Sequence, residues 1–401
     1  MKQPSNTFGF RRWQHRIATL VVATLWLAGC ALPQQGPSIA NQSISSDAVV
    51  VVVDDPRQSL RRMNAGPGYG LPTNYGEDPL LERQSREIAE DYSLSIIEQW
   101  PLRSLGVHCF VIERPSDAVL AKVTSDARVK WLQPFNEFEL QSAPTPVSNT
   151  STGCALCDFK AEYQSAGRSV TIAVIDTAVD ADHPDLQRSQ LVTRNFAGRR
   201  GNPEEEDHGT AVVGLISAIP STEKGLSGAA HEARVHLLRG CWQADNGRGR
   251  CNTLTLALAL EAAIELDPDI LNLSLTGRRD RILDELMSVL LQKDTLVVAA
   301  HDETRQPNAR FPAMQEGVVY AYGVERDAAL EPTNDVLLAP RHALSLTPMG
   351  GYDIVSGHSI ATPQLVAMAA RLMDHHDDAT RSDTIMNLKD WLAEYYEQQD
   401  Q

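Results

Sequence analysis

From residue 170 to residue 375 the chain alternates short apolar stretches with longer, helix-patterned ones, and this alternation limits the fold more than any other feature. Strands are expected at 170–175, 234–238, 270–273, 295–300 and 318–324, and helices at 208–218, 254–266, 281–292 and 361–375. Strands this short and this apolar must be covered on both faces. They predict an α/β fold, a doubly wound, mostly parallel sheet with helices on each side. Chemistry in such sheets gathers beyond the carboxyl ends of the strands. With 42% hydrophobic and 22% charged residues, the composition excludes wholesale disorder and a multispanning membrane protein.

A length of 401 residues exceeds what one core organises, so a second folded unit is expected ahead of the sheet. A β-branched run at 49–53 is followed by a helical stretch at 81–92, strands at 95–100 and 107–113, and a helix at 118–127. A segment at 129–132 then leads to a last strand near 135–140, giving β-α-β-β-α-β. That order predicts a small α+β ferredoxin-like sandwich over residues 47–140, a pattern many unrelated domains share. Residues 141–153, rich in Ser, Thr and Pro, read as an exposed linker open to cleavage. The sheet domain is expected over 154–376 and a helical tail over 377–401.

Lys2, Arg11, Arg12 and Arg16 precede an apolar run at 17–27 that is too short to span a bilayer as a helix, the layout of a signal peptide over residues 1–29. Leu27-Ala28-Gly29-Cys30 resembles a bacterial lipobox and implies lipidation of Cys30; Ala31 after it resembles the outer-membrane sorting pattern. The expectation is an exported bacterial lipoprotein, periplasmic or at the cell surface, anchored to the outer membrane through a flexible tether over 30–46. Export puts Cys109, Cys154, Cys157, Cys241 and Cys251 in an oxidising space. Cys241 and Cys251 bracket a Gly-rich loop and are the preferred disulfide. Cys154 and Cys157 are further candidates, and a zinc or redox role for them lacks a second pair at ligand spacing, so no metal site is expected. The formal charge of −16, more negative still without the basic leader, repels nucleic acid.

A serine hydroxyl attacks a peptide carbonyl only if a base takes its proton while a third group orients that base. Three segments offer these groups: Val174-Ile175-Asp176-Thr177-Ala178-Val179-Asp180, Asp207-His208-Gly209-Thr210, and Gly357-His358-Ser359-Ile360-Ala361-Thr362-Pro363. In this order they resemble the subtilisin-like serine proteases, the subtilase family, whose motifs read D-T-G-x-D, H-G-T and G-T-S-M-A-T-P. The resemblance covers about residues 155–375. It implies a subtilisin-like fold and an endopeptidase acting on protein or peptide substrates through an acyl-enzyme. Ser359 is then the nucleophile, His208 the base and Asp176 the group that orients it. No cofactor is implied; relatives often bind calcium, but no ligand set is assigned here. Pro363 is expected in an early helical position, where a missing N–H costs nothing. The domain at 47–140, closing on Val129-Lys130-Trp131-Leu132-Gln133-Pro134, resembles the family's inhibitory propeptide and implies a chain silenced by its own N-terminal part.

Several positions depart from the family pattern. Where the family has Gly-Asn after the strand at 297–300, this chain has His301-Asp302. The missing amide normally donates to the oxyanion; Asp302 supplies that bond only if protonated, which implies a slower enzyme with an acid-shifted optimum. Ala300 and His301 resemble one wall of the primary specificity pocket, Ser274, Leu275 and Thr276 the opposite wall, and Gly247 and Gly249 the edge strand that pairs with substrate. His358 stands where the family has Thr. These departures also support an alternative, a catalytically weak or inactive subtilisin-fold lipoprotein that binds peptides or regulates another protein.

Overall fold

The computed structural model describes residues 44–54, 79–140, 166–302, 310–312, 315–325, 335–376 and 380–399. The leader, Cys30, the linker at 141–153, Cys154 and Cys157 lie outside the described residues. The amino-terminal lobe runs β1 (Val49–Asp54), α1 (Pro79–Asp91), β2 (Ile96–Leu102), β3 (Val107–Ile112), α2 (Asp117–Thr124) and β4 (Val129–Pro134). Its strands form an antiparallel sheet in the order β2-β3-β1-β4, the ferredoxin-like arrangement. The five valines of β1 are all buried because both faces of the sheet are covered. Val49, Val51 and Val53 pack with Ile88 of α1 and Val123 of α2, while Val50 and Val52 face the second lobe.

One expectation about this lobe is corrected. The last strand does not join its sheet: β5 (Glu137–Leu140) leaves β4 and enters a sheet of the second lobe. The physical cause is a set of tertiary bonds at the turn between them. The Asn136 N–H donates to Thr253 Oγ1 at 2.9 Å, and its side-chain amide donates to Asp280 at 3.0 Å.

The second lobe begins with β6 (Thr171–Asp176), β7 (Gln190–Asn195), α3 (His208–Ser217), β8 (Arg234–Arg239), β9 (Cys241–Gln243), β10 (Gly249–Asn252) and α4 (Thr253–Leu266). It continues with β11 (Ile270–Leu273), β12 (Leu275–Arg278), α5 (Arg281–Gln292), β13 (Leu296–Ala300), β14 (Arg310–Phe311), β15 (Val318–Val324) and β16 (Val336–Pro340). A hairpin, β17 (His342–Thr347) and β18 (Gly351–Ser356), precedes α6 (His358–His375) and α7 (Arg381–Gln399). Among the described residues the main sheet has seven parallel strands in the order β16-β15-β13-β11-β6-β8-β7. Alternate residues of each strand serve opposite layers: Ala173 and Ile175 of β6 pack with α4 and α5, and Ile172 and Val174 with α3, α6 and α7. The carboxyl-terminal helix α7 packs on the sheet, since Leu388, Trp391, Leu392 and Tyr395 are buried in the second layer.

A smaller antiparallel arrangement, β14-β12-β5-β10-β9, holds β5 at its centre. Both lobes fall in one unit, residues 36–401, and they share a core. Val50, Val52, Trp100, Leu102 and Val111 cluster with Leu258, Leu283 and Leu286 of α4 and α5. Polar groups are satisfied across this boundary. Asp280, the N-cap of α5, accepts from the Ile282 N–H at 3.1 Å, from Gln133 Nε2 at 2.7 Å and from Thr253 Oγ1 at 2.7 Å. Glu261 accepts from the Ser104 N–H at 2.9 Å, and burial pushes its carboxyl above the usual range.

Candidate active site

The three chemistry-bearing segments meet at the carboxyl edge of the parallel sheet. Asp176 ends β6, His208 opens α3 and Ser359 is the second residue of α6. Both helices start at that edge and pack on one face of the sheet, so side chains far apart in sequence converge there. His208 Nδ1 lies 2.8 Å from Asp176 Oδ1, and His208 Nε2 lies 3.0 Å from Ser359 Oγ. With Nδ1 against a carboxylate, the ring proton sits on Nδ1, and Nε2 accepts from the serine hydroxyl. Burial pushes the His208 imidazole down, but the Asp176 carboxylate, by charge and hydrogen bond, lifts it above the ordinary histidine value.

The start of α6 is held from several sides. Gly357 has φ +138, a backbone that L side chains rarely adopt, and its N–H donates to the Arg341 carbonyl at 3.0 Å. Pro363 is corrected from an early position to the sixth residue of the helix. There its ring removes the amide that would bond the Ser359 carbonyl. The Ser274 hydroxyl donates to that carbonyl instead, at 3.0 Å. Ser274, expected in a substrate wall, is therefore buried beneath the site as support for the backbone of Ser359. His358 also acquires an account, because its Nδ1 accepts from the Gly323 N–H at 2.8 Å and ties the helix start to β15.

A buried ion pair joins the Asp176 and His208 segments. Glu206 Oε2 accepts from the Ala178 N–H at 2.6 Å and from Arg239 Nε at 3.0 Å, and Arg239 lies beside Asp176 in the β6–β8 register. Neither side chain was singled out in the sequence: Glu206 sits in an acidic run whose neighbours Glu204 and Glu205 are exposed. Arg239→Met should strand the Glu206 charge and cost about 3–5 kcal/mol, measured by urea denaturation. Adding Glu206→Gln should recover part of that loss, and no recovery would contradict the pairing.

Comparison with known proteins gives the family. Residues 167–324 match the model of the subtilase family. An intracellular serine protease of Paenibacillus polymyxa is 33% identical over 224 residues, 52% of this chain and 67% of that one. The chain belongs to the subtilase family. Membership makes it a subtilisin-like serine endopeptidase. A cell wall-associated protease of Bacillus subtilis is 28% identical over 375 residues, 87% of this subtilase but 41% of the relative. In fold, the subtilase resembles fervidolysin from Fervidobacterium pennivorans, with a TM-score of 0.61 at 16% identity over 86% of this chain and 57% of that one.

The remaining expected site residues divide. Leu275 and Thr276 lie in β12 opposite Leu140 and Glu139 of β5. On the other side β5 pairs with residues 250–252 of β10, next in sequence to the expected 247–249. Gly247, at φ +75, makes the β9–β10 turn, and Gly249 pairs back with Gln243 while its open face admits the Leu140 side chain. Cys241 and Cys251 face each other across this hairpin and form a disulfide. Cys109 is a free, buried thiol. Ala300 is buried at the end of β13, and the His301 ring meets Tyr322 edge-on at 5.1 Å. Asp302 requires the largest revision: Arg310 Nε donates to its Oδ2. A guanidinium beside a carboxyl favours its ionised, accepting form over the protonated donor expected of Asp302.

Proposed function

We propose that this subtilase hydrolyses peptide bonds through Asp176, His208 and Ser359, and that β5 silences it until the linker is cut. The hydrogen-bonded chain from Asp176 through His208 to Ser359 carries the reading. Ser359 Oγ attacks the scissile carbonyl while His208 Nε2 takes its proton; the imidazolium returns the proton to the leaving amine, and water then releases the acyl group by the reverse path. Asp176 steadies the imidazolium. Ser359 stands at the amino-terminal end of α6, where the positive end of the helix dipole favours the developing oxyanion. Asp302, engaged by Arg310, adds no hydrogen-bond donor to it, a deficit of about 3 kcal/mol in transition-state stabilisation.

The position of β5 supports the silencing. It lies antiparallel between β10 and β12, as a substrate strand would, with Phe138 and Leu140 buried. Leu140 faces Leu275, the neighbour of Ser274, whose hydroxyl bonds the Ser359 carbonyl, so the end of β5 lies close to the start of α6. The sequence supports the rest of the reading: export, lipidation at Cys30 and an outer-membrane address. A fluorophosphonate should label the wild-type chain and not Ser359→Ala, with mass spectrometry reporting loss of the amino-terminal lobe. Equal labelling of both chains refutes the assignment.

The raised His208 value has a kinetic consequence. The base works only when neutral, so kcat/KM should climb with pH through a titration above the ordinary histidine value of about 6.5. Below that titration the imidazole is protonated and activity is lost. Asp176→Asn removes the charge that lifts the titration, so the limb should move to lower pH while activity falls about 10⁴-fold. A pH–rate profile of both chains checks the direction.

A further inference from the structure

The bound strand has two chemically different faces, and the deep one is apolar. Phe138 and Leu140 point inward, Phe138 against Phe311 with ring centroids 5.7 Å apart. Gly277 and Gly249 make room for them, since a side chain at either position would collide with Phe138 or Leu140. The outer face is charged: Glu137 and Glu139 are exposed and lie diagonally across from two arginines of the β9–β10 hairpin. Arg250 Nη1 is 3.7 Å from Glu137 Oε2, and Arg248 Nη1 is 3.8 Å from Glu139 Oε2. On the opposite wall, continuing the β12–β5 register by one residue sets the exposed Arg278 beside Glu137. The rim is thus basic in a chain whose formal charge is −16.

We infer that Arg248, Arg250 and Arg278 are specificity-determining residues that select substrate strands with acidic side chains at the outward positions and apolar side chains at the inward ones. The inference rests on the proposed use of the β10–β12 cleft for substrate. Residues directly opposite or diagonal across paired strands interact, so any peptide lying where β5 lies meets the same three guanidinium groups. The exposed pairs contribute modestly and are salt-sensitive, so the selection is graded and electrostatic. The favoured protein substrates are acidic segments in which apolar and carboxylate side chains alternate.

The test is a ratio, taken on one preparation of the full chain so that the active fraction cancels. An acetylated peptide copying residues 137–141 with a C-terminal aminocoumarin is compared with the same peptide carrying Lys in place of both Glu. The acidic peptide should show kcat/KM higher by about tenfold at low salt, a preference that shrinks in about 1 M NaCl. Arg248→Glu combined with Arg250→Glu should reverse the order. Cleavage of both peptides at equal rates overturns this inference and leaves the protease reading standing, as does failure to cleave either while Ser359 still reacts with a fluorophosphonate. Failure of both cleavage and labelling overturns the two together.

Discussion

Ser359→Ala is expected to lower kcat by on the order of a million-fold while leaving the fold intact. The hydroxyl is buried and within 3.0 Å of His208 Nε2, and among the described residues the fold brings Asp176, His208 and Ser359 into one such chain. The bonds that hold the start of α6 do not use Ser359 Oγ: Ser274 bonds its carbonyl, and Gly357 bonds Arg341. A large rate loss should therefore come without a matching loss of thermal stability. Since the three groups act as a unit, His208→Ala added to Ser359→Ala should cost little more. A further large drop from the second change, or appreciable activity left after the first, would place the chemistry elsewhere.

Phe138→Ala should release the cleft. Phe138 is almost wholly buried between Gly277 and Phe311, and removing a buried aromatic ring costs about 3–5 kcal/mol. Even the lower figure corresponds to roughly a hundredfold weaker hold on β5. The rate at which a fluorophosphonate labels the intact, uncut chain should rise by about that factor. The rest of the amino-terminal lobe keeps its docking on α4 and α5, so the lobe should stay associated while the cleft opens. Unchanged labelling would mean that the apolar lobe contact, rather than the strand, closes the site.

The two substitutions bear on different levels of the molecule. The first removes an atom that reacts. The second removes a surface that merely occupies, and its effect depends on strand pairing across 139 residues of sequence from Phe138 to Gly277. That difference in range also separates what could be read from the sequence from what could not.

Periodicity disclosed the layers, because a strand covered on both faces must be apolar throughout, as Ile172 to Ile175 are, and an amphipathic helix such as α5 must repeat its apolar side chains near every turn. Motifs named Asp176, His208 and Ser359, because each stands at a strand end or a helix start where local chemistry is conspicuous. Glu206 was hidden in an acidic run, and Ser274 resembled a cleft wall, because their roles depend on partners brought from β8 and α6. Asp302 resembled a donor until Arg310 proved to be beside it. The destination of Glu137–Leu140 was equally closed to the sequence. An alternating strand reports that one face will be buried and is silent about which edge will bury it. Local covalent order thus decided the elements and the reactive side chains of this subtilase. Only the tertiary structure decided which strands and charges become neighbours, since hydrogen bonds and ion pairs act over a few ångströms of space and take no account of separation along the chain.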